Sequence, residues 1–324
     1  MLAALHQATR AECARPLRPC ASAVDVDIPF PDDCFSDVKD PFVRLRFAGT
    51  PGAPRVLVLG GISAGRKVSD AEDGPGWWRD LVCPGGGVDL DRYEVVGADF
   101  FPLEPEAPLA LAPADYAEVF ADAIVAAGFA RLHAVVGGSF GGMIGLALAR
   151  RRPEFVGRLA VLCAAHKPSA IGAALRGIQR DILALAAGAG EAERGVALAR
   201  SLAMTTYRTH AEFEARFANG AALSDYLAAR GADYAKSMYW ARYVTLSGAI
   251  DRHDEEPEAI TTPTLIVAAT SDQLVPVDDA RALARRLAGP ARFVELASHY
   301  GHDAFLKESA AIAPHLADFL KETL

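Results

Sequence analysis

The chain has 324 residues, 51% of them apolar, which suffices for one large α/β domain with an insertion or for two ordinary domains. Its formal net charge of −8 argues against a nucleic-acid or anionic-membrane surface and favours small-molecule partners. The five scattered cysteines lack C-x-x-C spacing, so we expect neither a disulfide framework nor a metal site. This use of cysteine is typical of a protein from a reducing compartment.

The N-terminal segment, residues 1–23, mixes alanine, arginine, proline and cysteine without a clear period, which predicts a loosely held arm. Charged residues between Arg10 and Arg18 interrupt it, so it lacks the apolar core of a signal peptide. No apolar run in the chain reaches the roughly 20 residues that cross a bilayer. We therefore expect a cytoplasmic protein without a membrane partner.

Three strands are predicted next along the chain. Residues 24–28 and 42–47 alternate apolar and polar side chains, and residues 32–33 supply a turn, which together predict an opening hairpin. Residues 55–59 are almost continuously apolar, as in a buried strand. The loop at 60–66 is rich in glycine, and it is either a flexible connection or a loop that presents backbone N–H groups to an anion.

Strands and helices then alternate. A strand is predicted over 91–99, a helix over 114–127, and further strands over 132–136 and 159–163. That order is typical of a mostly parallel, doubly wound sheet. The first part of the predicted core is therefore 24–166.

The pattern changes between residues 167 and 259, where alanine, leucine and arginine recur at helical spacing without a convincing strand. We interpret 167–259 as a helical insertion that forms a lid over the carboxyl edge of the sheet. The core resumes over 260–324, with predicted strands at 264–269 and 292–296, a helix at 278–287 and a final helix from Asp303 to about Leu320.

Residues 133–143, HAVVGGSFGGM, are predicted to form a strand, a sharp turn and the start of a helix. Gly137, Ser139 and Gly141 fit the G-x-S-x-G nucleophile elbow, in which small neighbours let the serine occupy a strained turn above a parallel sheet. The helix N-terminus then directs backbone donors at the charge that develops there. A five-residue match is common by chance, so a glycine turn that merely closes a βα unit is the alternative.

A serine nucleophile needs a base and an acid, and in this context the acid follows a late strand and the histidine follows the last one. Asp272 comes directly after the first strand of the resumed core, and His302 comes after the second. His299 is another candidate base, but Gly301 gives His302 a turn at the start of the final helix. Structural loop roles are the alternative for each residue. Order and strand context together predict an α/β-hydrolase fold with Ser139, Asp272 and His302 as its triad.

Further segments carry a more specific pattern. They are GWW at 76–78, DLDRY at 89–93, GGSFGGM at 137–143, AR at 199–200 with TYR at 206–208, RF at 216–217, YL at 226–227 and GHDAFL at 301–306. On these segments the core, about residues 40–322, resembles the homoserine O-acyltransferases of methionine biosynthesis. The loop at 60–66 resembles the succinyl-using branch more than the acetyl-using one, whose loop commonly reads A-L-T-G. Residues 100–104, FFPLE, depart from the family's usual N-x-x-G and G-S-T-G-P segments.

The resemblance implies a homodimeric acyltransferase that holds no bound cofactor and uses an acyl-CoA as co-substrate. Ser139 would take the acyl group from succinyl-CoA or acetyl-CoA and pass it to the hydroxyl of L-homoserine. His302 would move the protons, Asp272 would fix its tautomer, and the N–H groups of Phe140 and Gly61 would hold the oxyanion. The lid would keep water from the acyl-enzyme.

Homoserine carries a carboxylate and an ammonium, and a succinyl group adds a second carboxylate, so the cavity needs arginine and acidic groups. Arg208, in the TYR segment, is the candidate that the resemblance supports for a carboxylate, and Asp303 is the candidate for the ammonium. Arg180 is a further candidate on the same chemistry. A structural ion pair is the alternative for each of the three.

Four other functions stay open at this point. Two are close relatives, a homoserine O-acetyltransferase and an L-serine O-acyltransferase. A third is a serine esterase or thioesterase that admits water. The fourth is a non-catalytic binding module on the same scaffold, which is disfavoured because all three triad positions are filled.

Overall fold

An eight-stranded sheet forms the centre of the molecule. The computed structural model of the chain describes residues 23–29 and 42–322. The strands are β1 (Val24–Pro29), β2 (Phe42–Gly49), β3 (Arg55–Leu59), β4 (Val82–Cys83), β5 (Val88–Asp89), β6 (Glu94–Ala98), β7 (Ala134–Gly138), β8 (Leu159–Leu162), β9 (Thr264–Ala269) and β10 (Ala291–Leu296). The order in the sheet is β1-β2-β6-β3-β7-β8-β9-β10, and β4 and β5 form a separate pair. The first two strands of that order are antiparallel to their neighbours, and the pairs from β6 to β10 are parallel.

Two of the predicted features lie outside the described residues. They are the N-terminal arm, except for residue 23, and the turn at 32–33. The hairpin that the turn would close is confirmed, since β1 pairs with β2 in an antiparallel register from Val24 opposite Phe47 to Pro29 opposite Phe42.

The central strands are buried on both faces, as their apolar runs predict. Along β3, Leu57 and Leu59 pack into the core on one face, whereas Val56 and Val58 pack into the core on the other. Helices cover both faces, which is the doubly wound architecture of an α/β hydrolase. The helices of this core are α1 (Pro113–Ala126), α2 (Phe140–Arg151), α8 (Val277–Arg286), α9 (Ala304–Lys307) and α10 (Ser309–Lys321).

Five α-helices lie between β8 and β9 in the chain, and the structure, which describes this whole stretch, shows no strand in it. They are α3 (Ala170–Gly188), α4 (Ala192–Tyr207), α5 (His210–Arg216), α6 (Gly220–Ala235) and α7 (Trp240–Asp251). Ser169 joins this group to the core, because its Oγ accepts from the Gly172 N–H at the start of α3 and donates to the Leu274 carbonyl at 2.7 Å. We call these five helices the lid.

The prediction of one continuous final helix was wrong. A 3-10 turn, Gly301–Asp303, is followed by the four residues of α9, and α10 begins only at Ser309. In an unbroken helix the Phe305 carbonyl would accept the N–H of Ser309. It accepts instead from the Trp78 indole N–H at 2.9 Å, which satisfies the carbonyl where the helix is interrupted.

Candidate active site

Ser139 lies between β7 and α2 with φ at +53°, in the left-handed region that non-glycine residues seldom adopt. Two positions near Ser139, Gly137 and Gly141, leave no room for a side chain. A Cβ on Gly137 would lie 2.3 Å from the Gly141 carbonyl oxygen, and a Cβ on Gly141 would lie 2.4 Å from the Leu59 carbonyl oxygen. The strained turn predicted for a nucleophile elbow is therefore present, and it holds the Ser139 hydroxyl at the carboxyl edge of the sheet.

Ser139, His302 and Asp272 form one chain of hydrogen bonds. The Ser139 Oγ lies 2.8 Å from His302 Nε2, and His302 Nδ1 lies 2.7 Å from Asp272 Oδ2. The other carboxylate oxygen of Asp272 accepts the N–H groups of Leu274 and Val275 at 2.9 and 3.0 Å. Because a carboxylate only accepts, the His302 Nδ1 carries the proton and Nε2 is free to accept the Ser139 hydroxyl proton.

The protonation of His302 depends on two opposed effects. Burial lowers the pKa of His302, but the charge of Asp272 and its hydrogen bond to the ring raise it more. The pKa of His302 therefore lies above its ordinary value. His299, the alternative base, is exposed and lies outside this chain of hydrogen bonds.

The loop after β3 passes directly over Ser139. A Cβ placed on Gly61 would lie 4.0 Å from the Ser139 Oγ, and the Gly60 carbonyl accepts the Gly141 N–H at 2.8 Å, which fastens the loop to the start of α2. Within the described residues, the N–H groups of Gly61 and Phe140 donate to no other group. Two unused donors next to a serine hydroxyl are the arrangement that an oxyanion needs.

A cavity of about 930 Å³ separates the lid from the core and contains the Ser139 hydroxyl. Core residues that line it include Gly61, Trp77, Met143 and His302, and lid residues come from all five lid helices. A substrate bound there would contact the triad on one side and lid helices on the other.

Arg208 and Asp303 both line the cavity, but they are paired with each other. The Arg208 Nε donates to Asp303 Oδ2 at 2.8 Å, and its Nη1 donates to Glu212 at 3.1 Å. Arg180 does not line the cavity; it pairs with Asp251 at 2.7 Å and donates to the Ser247 hydroxyl. Of these three sequence candidates, the structure therefore brings Arg208 and Asp303 to the site and places Arg180 away from it.

Arg200 is a cavity residue to which the sequence-based assignment gave no role. Its guanidinium donates to the Ser63 hydroxyl at 3.2 Å and lies over the rings of Tyr234 and Tyr207, 4.6 and 5.4 Å from their centroids. Among the described residues it makes no ion pair with a carboxylate. The sequence held one signal, since Arg200 and Tyr207 lie seven residues apart and so share one face of α4.

The part of the chain that the structure describes contains no group of three or more histidine, cysteine or acidic side chains that could hold a metal ion. It also contains no helix that is both long and apolar enough to cross a membrane.

The chain is similar in sequence to a known family and to individual known proteins. A family model described as the alpha/beta hydrolase fold matches residues 88–309. A homoserine O-succinyltransferase from Xanthomonas campestris pv. campestris is 37% identical over 294 residues, which cover 87% of this chain and 80% of the relative. A homoserine O-acetyltransferase from Thermus thermophilus is 33% identical over 275 residues, which cover 76% of this chain and 72% of the relative.

Solved structures agree on the fold. A homoserine O-acetyltransferase from Bacillus anthracis superposes with a TM-score of 0.82 over 94% of this chain and 99% of its own, at 18% identity. Esterase E22 superposes with a TM-score of 0.81 over 93% of this chain, at 19% identity. At such identities the likeness shows the fold alone.

Proposed function

The chain belongs to the homoserine O-acyltransferases of the α/β-hydrolase fold, and we propose that it transfers a succinyl group from succinyl-CoA to the side-chain hydroxyl of L-homoserine in methionine biosynthesis. The observation that carries the proposal is the hydrogen-bonded chain from Ser139 through His302 to Asp272, at the bottom of a cavity beneath the lid. The similarity to the Xanthomonas succinyltransferase supports succinyl-CoA as the donor.

The first half of the proposed reaction forms an acyl-enzyme. His302 Nε2 takes the Ser139 proton while Oγ attacks the thioester carbonyl, and the negative charge on the carbonyl oxygen is held by the N–H groups of Gly61 and Phe140. The C–S bond then breaks, and His302 returns the proton to the departing thiolate of CoA. Loss of one oxyanion donor typically costs about 3–4 kcal/mol of transition-state stabilisation.

The second half of the reaction repeats these roles with the acceptor. His302 removes the proton of the homoserine hydroxyl, which attacks the ester carbonyl of the acylated Ser139. The Ser139 Oγ then leaves as a hydroxyl with the proton from His302, and O-succinylhomoserine departs. Asp272 stabilises the imidazolium in both halves.

The acceptor presents two charged groups, and the cavity offers a partner for each. Arg200 is the proposed partner of the homoserine carboxylate, because it is the arginine that points to the cavity without an acidic partner among the described residues. Asp303, next to His302, is the proposed partner of the ammonium. Arg208 then serves to hold the Asp303 carboxylate in place, since the two are 2.8 Å apart.

Transfer requires that water be kept from the acyl-enzyme. The lid, which is the helical part of the proposed insertion at 167–259, supports this role because α3, α4, α6 and α7 all line the cavity. The same triad under an open lid would hydrolyse the thioester.

The proposal is tested with purified protein and succinyl-CoA or acetyl-CoA, each with and without L-homoserine or L-serine, by measuring free CoA and the acylated amino acid. We expect continuous CoA release only with succinyl-CoA and L-homoserine together, whereas succinyl-CoA alone should release at most one equivalent of CoA per protein. Continuous CoA release that depends on no amino acid would identify a thioesterase. A preference for acetyl-CoA or for L-serine would correct the donor or the acceptor, and no turnover under any condition would contradict the enzyme assignment.

A further inference from the structure

The loop that carries His302 is bonded to the lid on both sides of the histidine. Before it, the Thr209 hydroxyl donates to the His299 carbonyl at 2.6 Å. After it, the Arg208 Nε donates to Asp303 Oδ2 at 2.8 Å. Arg208 and Thr209 are adjacent residues in the connection between α4 and α5. One short segment of the lid therefore holds the loop of the catalytic base at two points.

The last residue of α4 packs on the same loop between these two bonds. Gly301 has φ at +61°, and a Cβ placed there would lie 2.7 Å from the Tyr207 carbonyl oxygen, so only glycine fits. The rings of Tyr207 and His302 are neighbours, with 6.2 Å between their centroids. Backbones in such close contact move together, so a shift of this part of the lid is passed to the residue before His302.

The core holds the loop through a second hydroxyl. The Ser271 Oγ donates to the Ser298 carbonyl at 2.5 Å and accepts the Gly301 N–H at 3.2 Å. Ser271 directly precedes Asp272, so these bonds join the loop of the base to the acid of the triad. The consecutive carbonyls of residues 298 and 299 thus bind one hydroxyl from the core and one, that of Thr209, from the lid.

The Thr209 hydroxyl is fixed at both of its ends. As the N-cap of α5, its oxygen accepts the Glu212 N–H at 3.1 Å. A threonine hydroxyl also has one proton to donate, and in Thr209 that proton is directed at the His299 carbonyl. The start of α5 is thereby joined to the loop of the base through a single side chain.

The position of His302 matters because its ring makes two bonds at once. Nε2 lies 2.8 Å from the Ser139 Oγ, and Nδ1 lies 2.7 Å from Asp272 Oδ2. A displacement of the ring lengthens at least one of these bonds, and a misplacement of about 1 Å can cost about 100-fold in rate. The contacts that fix the loop on either side of His302 therefore affect the chemical step.

We propose that Thr209 is a positioning residue for the catalytic base, and that through it the lid aligns His302 with Ser139 and Asp272. This inference rests on the proposed acyl transfer. It gives the lid a second role beside the exclusion of water, because docking of the α4–α5 connection completes the catalytic arrangement.

The test compares Thr209→Val, which has the shape of threonine without its hydroxyl, with Thr209→Ser, which keeps the hydroxyl. The matched control is Thr205→Val, because the exposed Thr205 bonds to the Leu202 carbonyl of its own helix at 2.7 Å. One measurement is kcat and KM of the transfer from succinyl-CoA to L-homoserine. The other is the rate at which p-nitrophenyl acetate acylates Ser139 and releases p-nitrophenolate, which requires neither CoA nor homoserine.

Loss of one neutral hydrogen bond predicts that kcat and the acylation rate fall roughly 3- to 10-fold in Thr209→Val, with KM little changed. Thr209→Ser and Thr205→Val should keep rates near those of the wild type. The downfield proton resonance of the His302 Nδ1–H, which reports its bond to Asp272, should shift in Thr209→Val and not in Thr205→Val.

Thr209→Asp separates positioning from helix capping, because a carboxylate can accept the Glu212 N–H but cannot donate to the His299 carbonyl. At a pH on the plateau of the rate profile, where the added charge does not change the protonation of His302, it should be as slow as Thr209→Val. Wild-type rates in Thr209→Asp would assign the effect to the cap of α5 and overturn the positioning role.

Wild-type rates in Thr209→Val, an equal loss in Thr209→Ser, or an unchanged Nδ1–H resonance in Thr209→Val would also overturn the inference. A wild type that reacts with p-nitrophenyl acetate but transfers nothing to homoserine would remove the proposed function. The acylation rates of the Thr209 variants would then still decide whether this residue positions the base.

Discussion

Asp272 is the residue whose charge controls the proton affinity of the base. With Asp272 present, the pKa of His302 is above its ordinary value, and only the neutral ring can accept the Ser139 proton. We therefore predict that kcat/KM falls as the pH drops through the pKa of His302. In Asp272→Asn the lowering effect of burial on the pKa of His302 is opposed only by the more weakly acting charge of Asp303, so the acid limb of the pH profile should move to lower pH.

The same substitution should lower kcat by about 10⁴-fold, because an asparagine amide does not hold the Nδ1–H tautomer of the ring. A pH–rate profile of the wild type and of Asp272→Asn measures both effects. An acid limb at the same pH in the two proteins would show that Asp272 does not set the pKa of His302.

Arg208 is paired with the Asp303 carboxylate, whereas Arg200 has no acidic partner among the described residues. The proposed partner of the substrate carboxylate is therefore Arg200. Arg200→Gln should raise KM for L-homoserine by roughly 10- to 100-fold, since it removes the partner of the acceptor carboxylate. The rate of acylation by the donor alone should change little, because the role proposed for Arg200 concerns only the acceptor. Steady-state kinetics with varied homoserine, together with a rapid-quench measurement of the acylation step, separates the two. An unchanged KM for homoserine would count against this role.

Sequence alone predicts the positions of Ser139, Asp272 and His302, because strand ends in a parallel sheet meet at one edge and the chain order of the three is characteristic. It does not predict which arginine is available to a substrate. Arg208 is occupied by Asp303, 95 residues away along the chain, and Arg180 by Asp251. Such ion pairs depend on how the lid helices pack on one another and on the core, and a local sequence pattern carries no information about that packing.

At the scale of elements, the apolar strands β3, β8 and β9 could be predicted from their continuous runs, whereas short or interrupted elements could not. The two-residue strands β4 and β5 are too short to show a period. The interruption before α10 depends on the Trp78 indole, whose partner Phe305 lies 227 residues later. Long-range contacts of this kind end helices without a local signal.

The packing of α6 on α4 offers a test of the proposal that the lid keeps water from the acyl-enzyme. A Cβ on Gly231 would lie 2.4 Å from the Ala197 carbonyl oxygen, so Gly231→Val must push α6 away from α4. Tyr234, which lies over Arg200 in the cavity, would move with it. We expect homoserine-independent CoA release to rise relative to transfer, and overpacking to lower stability by about 1–3 kcal/mol.

The matched control is Gly177→Ala, in the middle of α3, where an added Cβ meets no heavy atom within 4 Å. It should stabilise the protein by about 0.5–1 kcal/mol and leave the ratio of hydrolysis to transfer unchanged. If Gly231→Val shows the wild-type ratio as well, the lid does not exclude water in the way proposed.

At the scale of the whole molecule, the outer face of the lid is apolar. Ile171, Ile178 and Leu185 recur every seven residues on α3 and are 58%, 51% and 77% exposed. We propose a second copy of the chain as the cover of this face, which is the homodimer that the family resemblance of the sequence predicts. Ile178→Glu should then yield a monomer in light scattering, and a monomeric wild type at micromolar concentration would contradict the proposed dimer.

The central claim is that Ser139 carries the acyl group between donor and acceptor, and intact-protein mass spectrometry tests it most directly. Protein mixed with succinyl-CoA alone should gain the mass of one succinyl group, located on the peptide that contains Ser139. Addition of L-homoserine should remove that mass as O-succinylhomoserine appears, and Ser139→Ala should gain none. A succinyl adduct that forms in Ser139→Ala, or a wild-type adduct that persists in the presence of homoserine, would contradict the account.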